Sequence, residues 1–148
     1  KGKLKAEFLD LHETKLDRFE GFGEPYNKET INAINMLKEC DCFIISTPVY
    51  NTSFSSAVKN LFEHSHFKSL KGKVAGFILN SGGTKSFENA HSNLNSLMNY
   101  FTIFSNPRAV YVSPEDFDEK MNLSNETIKE RIKELVDSTV EIAGKLGN

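Results

Sequence analysis

The sequence predicts an α/β fold, a parallel β-sheet with helices on both faces. Three observations predict it. Strand-like and helix-like hydrophobic patterns alternate along the 148 residues. The central strand candidates are almost wholly apolar, as strands covered on both faces are. No linker, internal repeat or low-complexity tract divides the chain, so residues 1–148 read as one domain.

The elements follow in order. Leu4–Leu11 (LKAEFLDL) sets apolar residues at 4, 6, 8 and 11, the alternation of a strand. His12 to Tyr26 carries Gly21, Gly23 and Pro25 among charges and reads as a surface loop. Thr30–Glu39 is a helix with Ile31, Ile34 and Leu37 on one stripe and Asn27 or Thr30 as cap. Asp41–Ser46 (DCFIIS) is a short buried strand, ended sharply by Pro48. Ser53–His64 is a helix with Ala57, Val58, Leu61 and Phe62 inward, and Lys73–Asn80 (KVAGFILN) is a second buried strand. Ser86–Tyr100 is a helix on Phe87, Ala90, Leu94, Leu97 and Met98, and Val110–Val112 is a short strand after Pro107. Asn125–Leu146 closes the chain as a helix, capped by Ser124 or Asn125, with Ile128, Ile132, Leu135, Val136, Ile142 and Leu146 inward.

Composition excludes more than it assigns. A formal charge of −2 gives no case for a nucleic-acid or membrane partner, which usually requires a basic patch. The apolar run Cys42–Ile45 is far too short to span a bilayer. Cys40 and Cys42, one residue apart at a strand start, read as reduced, partly buried thiols of a cytoplasmic protein. None of the four histidines sits at an obvious zinc-ligand spacing, so no metal site is expected.

In an open parallel sheet, ligands bind beyond the carboxyl ends of the strands. Two unusual loops fall there. In Thr47-Pro48-Val49-Tyr50-Asn51-Thr52-Ser53, the chain leads into a helix N-terminus, where N–H groups favour electron-rich partners, and Tyr50 adds a flat wall. In Asn80-Ser81-Gly82-Gly83-Thr84-Lys85-Ser86, adjacent glycines let the backbone approach a flat ligand closely, and Ser81 offers a hydroxyl. Either loop alone reads equally well as a plain turn or helix start; two on neighbouring strands favour a ligand site.

The segment TPVYNTSFSSAVKNLFEH (Thr47–His64) resembles the flavin-contacting segment of the NAD(P)H-dependent FMN reductase family, usually T-P-E-Y-N-x-S-x-x-x-x-L-K-N. NSGGTKSFENAHSNLNSLM (Asn80–Met98) resembles that family's glycine-rich second loop and the helix after it. The resemblance spans nearly the whole chain. It implies a flavodoxin-like three-layer α/β/α sandwich of strand order 2-1-3-4-5, non-covalent FMN and a homodimer or homotetramer. It also implies NAD(P)H as reductant and a small-molecule electron acceptor such as a flavin or quinone. Carried over, Thr47, Pro48, Val49, Tyr50 and Asn51 would line the flavin ring and ribityl chain, with Ser81, Gly82 and Gly83 closing from the other loop. Lys59 and Asn60 match the family's Lys-Asn pair and read as packing or capping residues, and Phe54 as a candidate for the ring pocket or dimer contact. No catalytic acid is named, because His12, His64, His66 and His91 all lie outside the matched loops. His64 and His66 are expected at an exposed helix end and His91 on a helix flank.

Three departures stand out, one being that the second loop lacks some of the extra glycines typical of the family. Val49 occupies a position where many reductases have glutamate. A valine there is common among relatives that include iron–sulfur flavoproteins, but Cys40 and Cys42 alone cannot hold a cluster. The chain also starts at Lys1 with what reads as the second strand. In the 2-1-3-4-5 order, losing the first strand would leave its neighbours about 9–10 Å apart, with unpaired backbone between them. A strand, loop and helix of roughly 25–35 residues are therefore expected upstream, and with them the phosphate-binding loop. Two other readings stay open at this point: an electron carrier without nicotinamide turnover, and a cofactor-free scaffold domain.

Overall fold

The computed structural model describes residues 4–82 and 87–147. In chain order these form α1 (Lys28–Glu39), β1 (Cys42–Tyr50), β2 (Ser53–Phe54), α2 (Ser56–Glu63), α3 (Phe67–Leu70), β3 (Val74–Asn80), α4 (Phe87–Tyr100), β4 (Phe104–Val112) and α5 (Glu126–Lys145). β1, β3 and β4 run parallel across the sheet in that order, and β2 turns back antiparallel on the far edge of β1. Alternation along β3 explains the layers. Phe77 and Leu79 face a core shared with α1, α2 and α4, whereas Ile78 faces a smaller core under α5. The result is the three-layer α/β/α sandwich expected from the sequence.

Side-chain caps open the first and last helices where expected, whereas α2 starts at Ser56 rather than Ser53, which β2 takes, and α3 is an addition to the expected elements. The Asn27 side chain accepts from the Thr30 N–H at 2.8 Å and opens α1. Asn125 accepts from the N–H groups of Thr127 and Ile128 and opens α5. Such caps satisfy donors that the first turn cannot. α5 lies close on β3 because of Gly76. A β-carbon there would stand 2.7 Å from Thr139 Oγ1 and 3.1 Å from both Ile44 Cδ1 and Leu135 Cδ1.

Several expectations are corrected. Leu4–Leu11 is not a strand: it makes no ladder, Leu4 and Phe8 are exposed, and only Leu9 and Leu11 lean on the core. Alternation expresses a preference, but a strand exists only where a neighbouring backbone pairs with it. Among the described residues, the outer edge of β1 is paired only at Val49 and Tyr50, by β2. Pro48 does not end β1, which continues to Tyr50. A proline fits a strand where its missing N–H faces an unpaired edge, and β1 has such an edge below Val49. β4 begins at Phe104 rather than Val110 and passes through Pro107 by a bulge: Ala75 pairs with Ser105 and Phe77 with Ala109, so β4 carries two extra residues.

Other corrections concern single side chains. Ile31 is exposed while Thr30 is buried, because the Thr30 hydroxyl accepts the Asp17 N–H under the 12–26 loop. Val136 and Leu146 also face outward; α5 buries Ile128, Leu135, Thr139 and Ala143 instead. His64 is not exposed but 5% accessible, and its Nε2 lies 2.9 Å from the Asp17 carbonyl, which fixes the proton on that nitrogen. Cys40 closes α1 rather than sharing a strand with Cys42.

Candidate functional site

The parallel ladder between β1 and β3 runs from Cys42 opposite Val74 to Pro48 opposite Asn80. Both strands therefore finish at one rim, and Tyr50 and Gly82 each follow the last paired position by two residues. Tyr50 is 63% exposed, while Pro48 and Val49 are half-buried and Asn51 is exposed. Ser81 is buried and donates its N–H to the Val112 carbonyl at 3.1 Å, which ties the second loop to β4. Gly82 is exposed, with open space where a side chain would stand. Gly83 lies outside the described residues.

The first loop is a tight hairpin. Asn51 and Thr52 take φ of 48° and 67° between Tyr50 and Ser53, the left-handed pair of a type I′ turn. The hairpin leans on α4, where the Asn93 amide reaches Ser53 Oγ at 3.2 Å. Thr47, 2% exposed, spends its hydroxyl inside the loop: it accepts the Ser55 N–H at 3.0 Å and donates to the Pro48 carbonyl at 3.2 Å. Phe54 is half-buried against the core.

A third segment rises from the same rim after β4 and escaped the sequence reading. Asp116 is its knot. Its carboxylate accepts from the Ser113 N–H at 2.8 Å and from the Asn125 amide at 2.6 Å, and its carbonyl accepts from Ser124 and Asn125. The Ser113 N–H, helped by Asn125, holds the carboxyl below the ordinary range. The pattern S-P-E-D, a serine three residues before an aspartate, was the available signal. Phe117 and Leu123 of this segment, with Ser46, Asn80 and Ile132, line a hollow of about 170 Å³ beside the rim. A larger groove between Asn106 and Glu141 lies lower, along β4 and α5.

The remaining polar residues have structural duties. Asn60 accepts from the Phe19 N–H and donates to the Asp17 carbonyl, pinning the 12–26 loop, and Lys59 pairs with Glu63. His91 Nδ1 lies 3.2 Å from the Tyr111 hydroxyl, and burial lowers its pKa. Burial pushes the Cys40 thiol up to about 11 and raises Cys42 as well, which favours the neutral thiol form of both. Among the described residues, no three His, Cys, Asp or Glu side chains gather to hold a metal ion. No described helix is long and apolar enough to cross a membrane.

The rim offers an exposed aromatic residue, unobstructed backbone at Gly82 and left-handed turn residues. Comparison with known proteins supplies the family. A sequence model described as NADPH-dependent FMN reductase matches residues 1–118. The NAD(P)H-dependent FAD/FMN reductase of Geobacillus thermodenitrificans is 29% identical over 141 residues, covering 95% of this chain and 76% of that protein. The FMN-dependent NADPH-azoreductase of Staphylococcus saprophyticus is 26% identical over 134 residues, covering 88% and 71%. Among solved structures, the apo form of an NADH:FMN oxidoreductase superposes with a TM-score of 0.65 at 15% identity, covering 76% of this chain and 59% of that one. That last likeness concerns the fold. The chain thus spans about three quarters of the first curated relative and three fifths of the solved structure.

Proposed function

Because the chain belongs to the NADPH-dependent FMN reductase family, we propose that it serves an FMN-dependent oxidoreductase that takes electrons from NAD(P)H and passes them to a flavin, quinone or azo acceptor. The observation that carries this reading is the pairing of Pro48 with Asn80, which brings the ends of both loop-bearing strands to one rim. The fold is flavodoxin-like. When bound, FMN supplies the two-electron chemistry, and the protein supplies binding, orientation and electrostatics.

The chain's own residues divide the work. Pro48, Val49, Tyr50 and Asn51 present one wall, with the Tyr50 ring as its exposed face. Ser81 and Gly82 present the other, where Gly82 lacks a side chain and lets the main chain approach a polar ring edge while Val112 holds the Ser81 N–H; Gly83 is assigned to the same wall from the sequence. Thr47 contributes from beneath, through the loop it anchors. No side-chain acid is assigned a proton. The acceptor class rests on the relatives' names, reductase and azoreductase. We also place the protein in the cytoplasm as a homodimer or homotetramer. The assembly rests on the resemblance of Thr47–His64 and Asn80–Met98 to the family's segments, and two half-buried free thiols support the compartment.

Anaerobic addition of NADPH to the FMN-loaded, full-length natural protein tests the reading. Prompt loss of the yellow colour is expected. Reduction by dithionite or a partner protein alone would make it an electron carrier. A protein that takes up no FMN would make it a scaffold domain.

A further inference from the structure

The hairpin register at the rim carries an inference about Thr47. In an antiparallel pair, positions alternate between hydrogen-bonded and non-bonded. Tyr50 and Ser53 flank a two-residue turn and form a bonded pair; Val49 and Phe54 form the next, non-bonded one. Position 48 should then bond position 55 twice. Pro48 has no N–H, so one of those bonds cannot form. The other is replaced: the Ser55 N–H donates to Thr47 Oγ1 at 3.0 Å, and Thr47 Oγ1 donates to the Pro48 carbonyl at 3.2 Å. The hydroxyl has wedged itself between the two backbone groups that the register would have joined.

The wedge has a geometric consequence. It opens the hairpin by one hydroxyl at Ser55, which is the N-cap of α2 and lacks a side-chain cap of its own. The angle between the Tyr50 arm and the first turn of α2 is therefore set by one buried group. Thr47 is itself 2% exposed and stands opposite Leu79 in the ladder, so it cannot drift.

We propose that Thr47 is the positioning residue of the flavin rim: its hydroxyl relay from Ser55 to Pro48 sets the Tyr50 hairpin against the start of α2 at the spacing the ring requires. The inference rests on the flavin reading above and assigns Thr47 a role through its neighbours rather than by contact. Substitution by valine keeps the shape, removes both hydrogen bonds and takes a partner from two half-buried backbone groups. Serine keeps the relay.

The test uses the full-length natural protein, with FMN as probe, and compares wild type, Thr47→Val and Thr47→Ser. Three quantities are read: the FMN dissociation constant, the visible circular dichroism of the bound flavin, and amide exchange at Ser55. Thr47→Val is expected to bind FMN roughly tenfold more weakly, to alter the flavin dichroism and to speed exchange at Ser55, with Thr47→Ser restoring all three. Should Thr47→Val not fold, Thr47→Ala removes the same hydroxyl without adding volume and carries the same comparison. A variant that loses only thermal stability, with affinity and dichroism as in wild type, overturns the inference and leaves the flavin reading standing. A wild type that binds no FMN overturns the reading, and the inference with it.

Discussion

Pro48 on β1 stands opposite Asn80 on β3 at the top of a parallel ladder. That relationship puts Tyr50 and Gly82, 32 positions apart in sequence, beyond the same end of adjacent strands. Parallel strands need a crossover to return to the same end, and here α2 and α3 make it. Tyr50, an exposed residue, therefore stands at the rim from which the Gly82 backbone also emerges.

If Tyr50 forms one wall of the ring site, Tyr50→Ala weakens FMN binding by about 0.5–1.5 kcal/mol, the worth of an aromatic contact beyond its area. Quenching of flavin fluorescence on binding would show a dissociation constant roughly two- to tenfold higher. Unchanged affinity would remove Tyr50 from the site.

Gly76 is required by α5, not by a turn. Gly76→Ala drives a methyl to 2.7 Å from Thr139 Oγ1 and lowers stability by about 1–3 kcal/mol. Thermal unfolding should show a lower melting temperature, partly recovered in the double variant with Thr139→Ala. No recovery would mean that the clash is not with Thr139.

Thr52 holds φ of 67°, a conformation that β-branched residues disfavour. Thr52→Gly relieves strain of about 1–3 kcal/mol and returns about 0.4–1 kcal/mol through the looser unfolded chain. Denaturant titration should show a net gain of about 1 kcal/mol. A loss would show that the Thr52 side chain does more than fill a turn.

Asp116 has a carboxyl pKa below its unfolded value, chiefly through the Ser113 N–H. A depressed carboxyl stabilises the fold above the unfolded pKa, and that contribution fades as pH falls through the folded one. Wild type should melt at a higher temperature than Asp116→Asn at neutral pH, and the gap should close on acidification below about pH 4. A gap independent of pH would contradict this.

Much of this architecture was legible in the sequence, for reasons that particular residues show. Val74–Asn80 must be apolar on both faces, so its run could not hide. The caps Asn27 and Asn125 act within three residues and are readable locally. What failed depended on distant partners. Pro48 breaks a strand only when its nitrogen faces a neighbour, which the sequence does not state. The polar side chain of His64 suggested exposure, yet its acceptor is a carbonyl 47 positions earlier. Leu4–Leu11 has a strand's alternation without a paired neighbour among the described residues. At the candidate site, the two loops could be read from composition. The Thr47 relay could not, because it follows from the hairpin register and from the N–H that Pro48 lacks.

The most direct measurement is titration of FMN into the ¹⁵N-labelled, full-length natural protein while backbone amide resonances are followed. The account predicts that the largest shifts within this chain fall together on Val49, Tyr50, Asn51, Ser81 and Gly82. Shifts confined to the lower groove around Asn106 and Glu141, or one rim loop responding without the other, would contradict it.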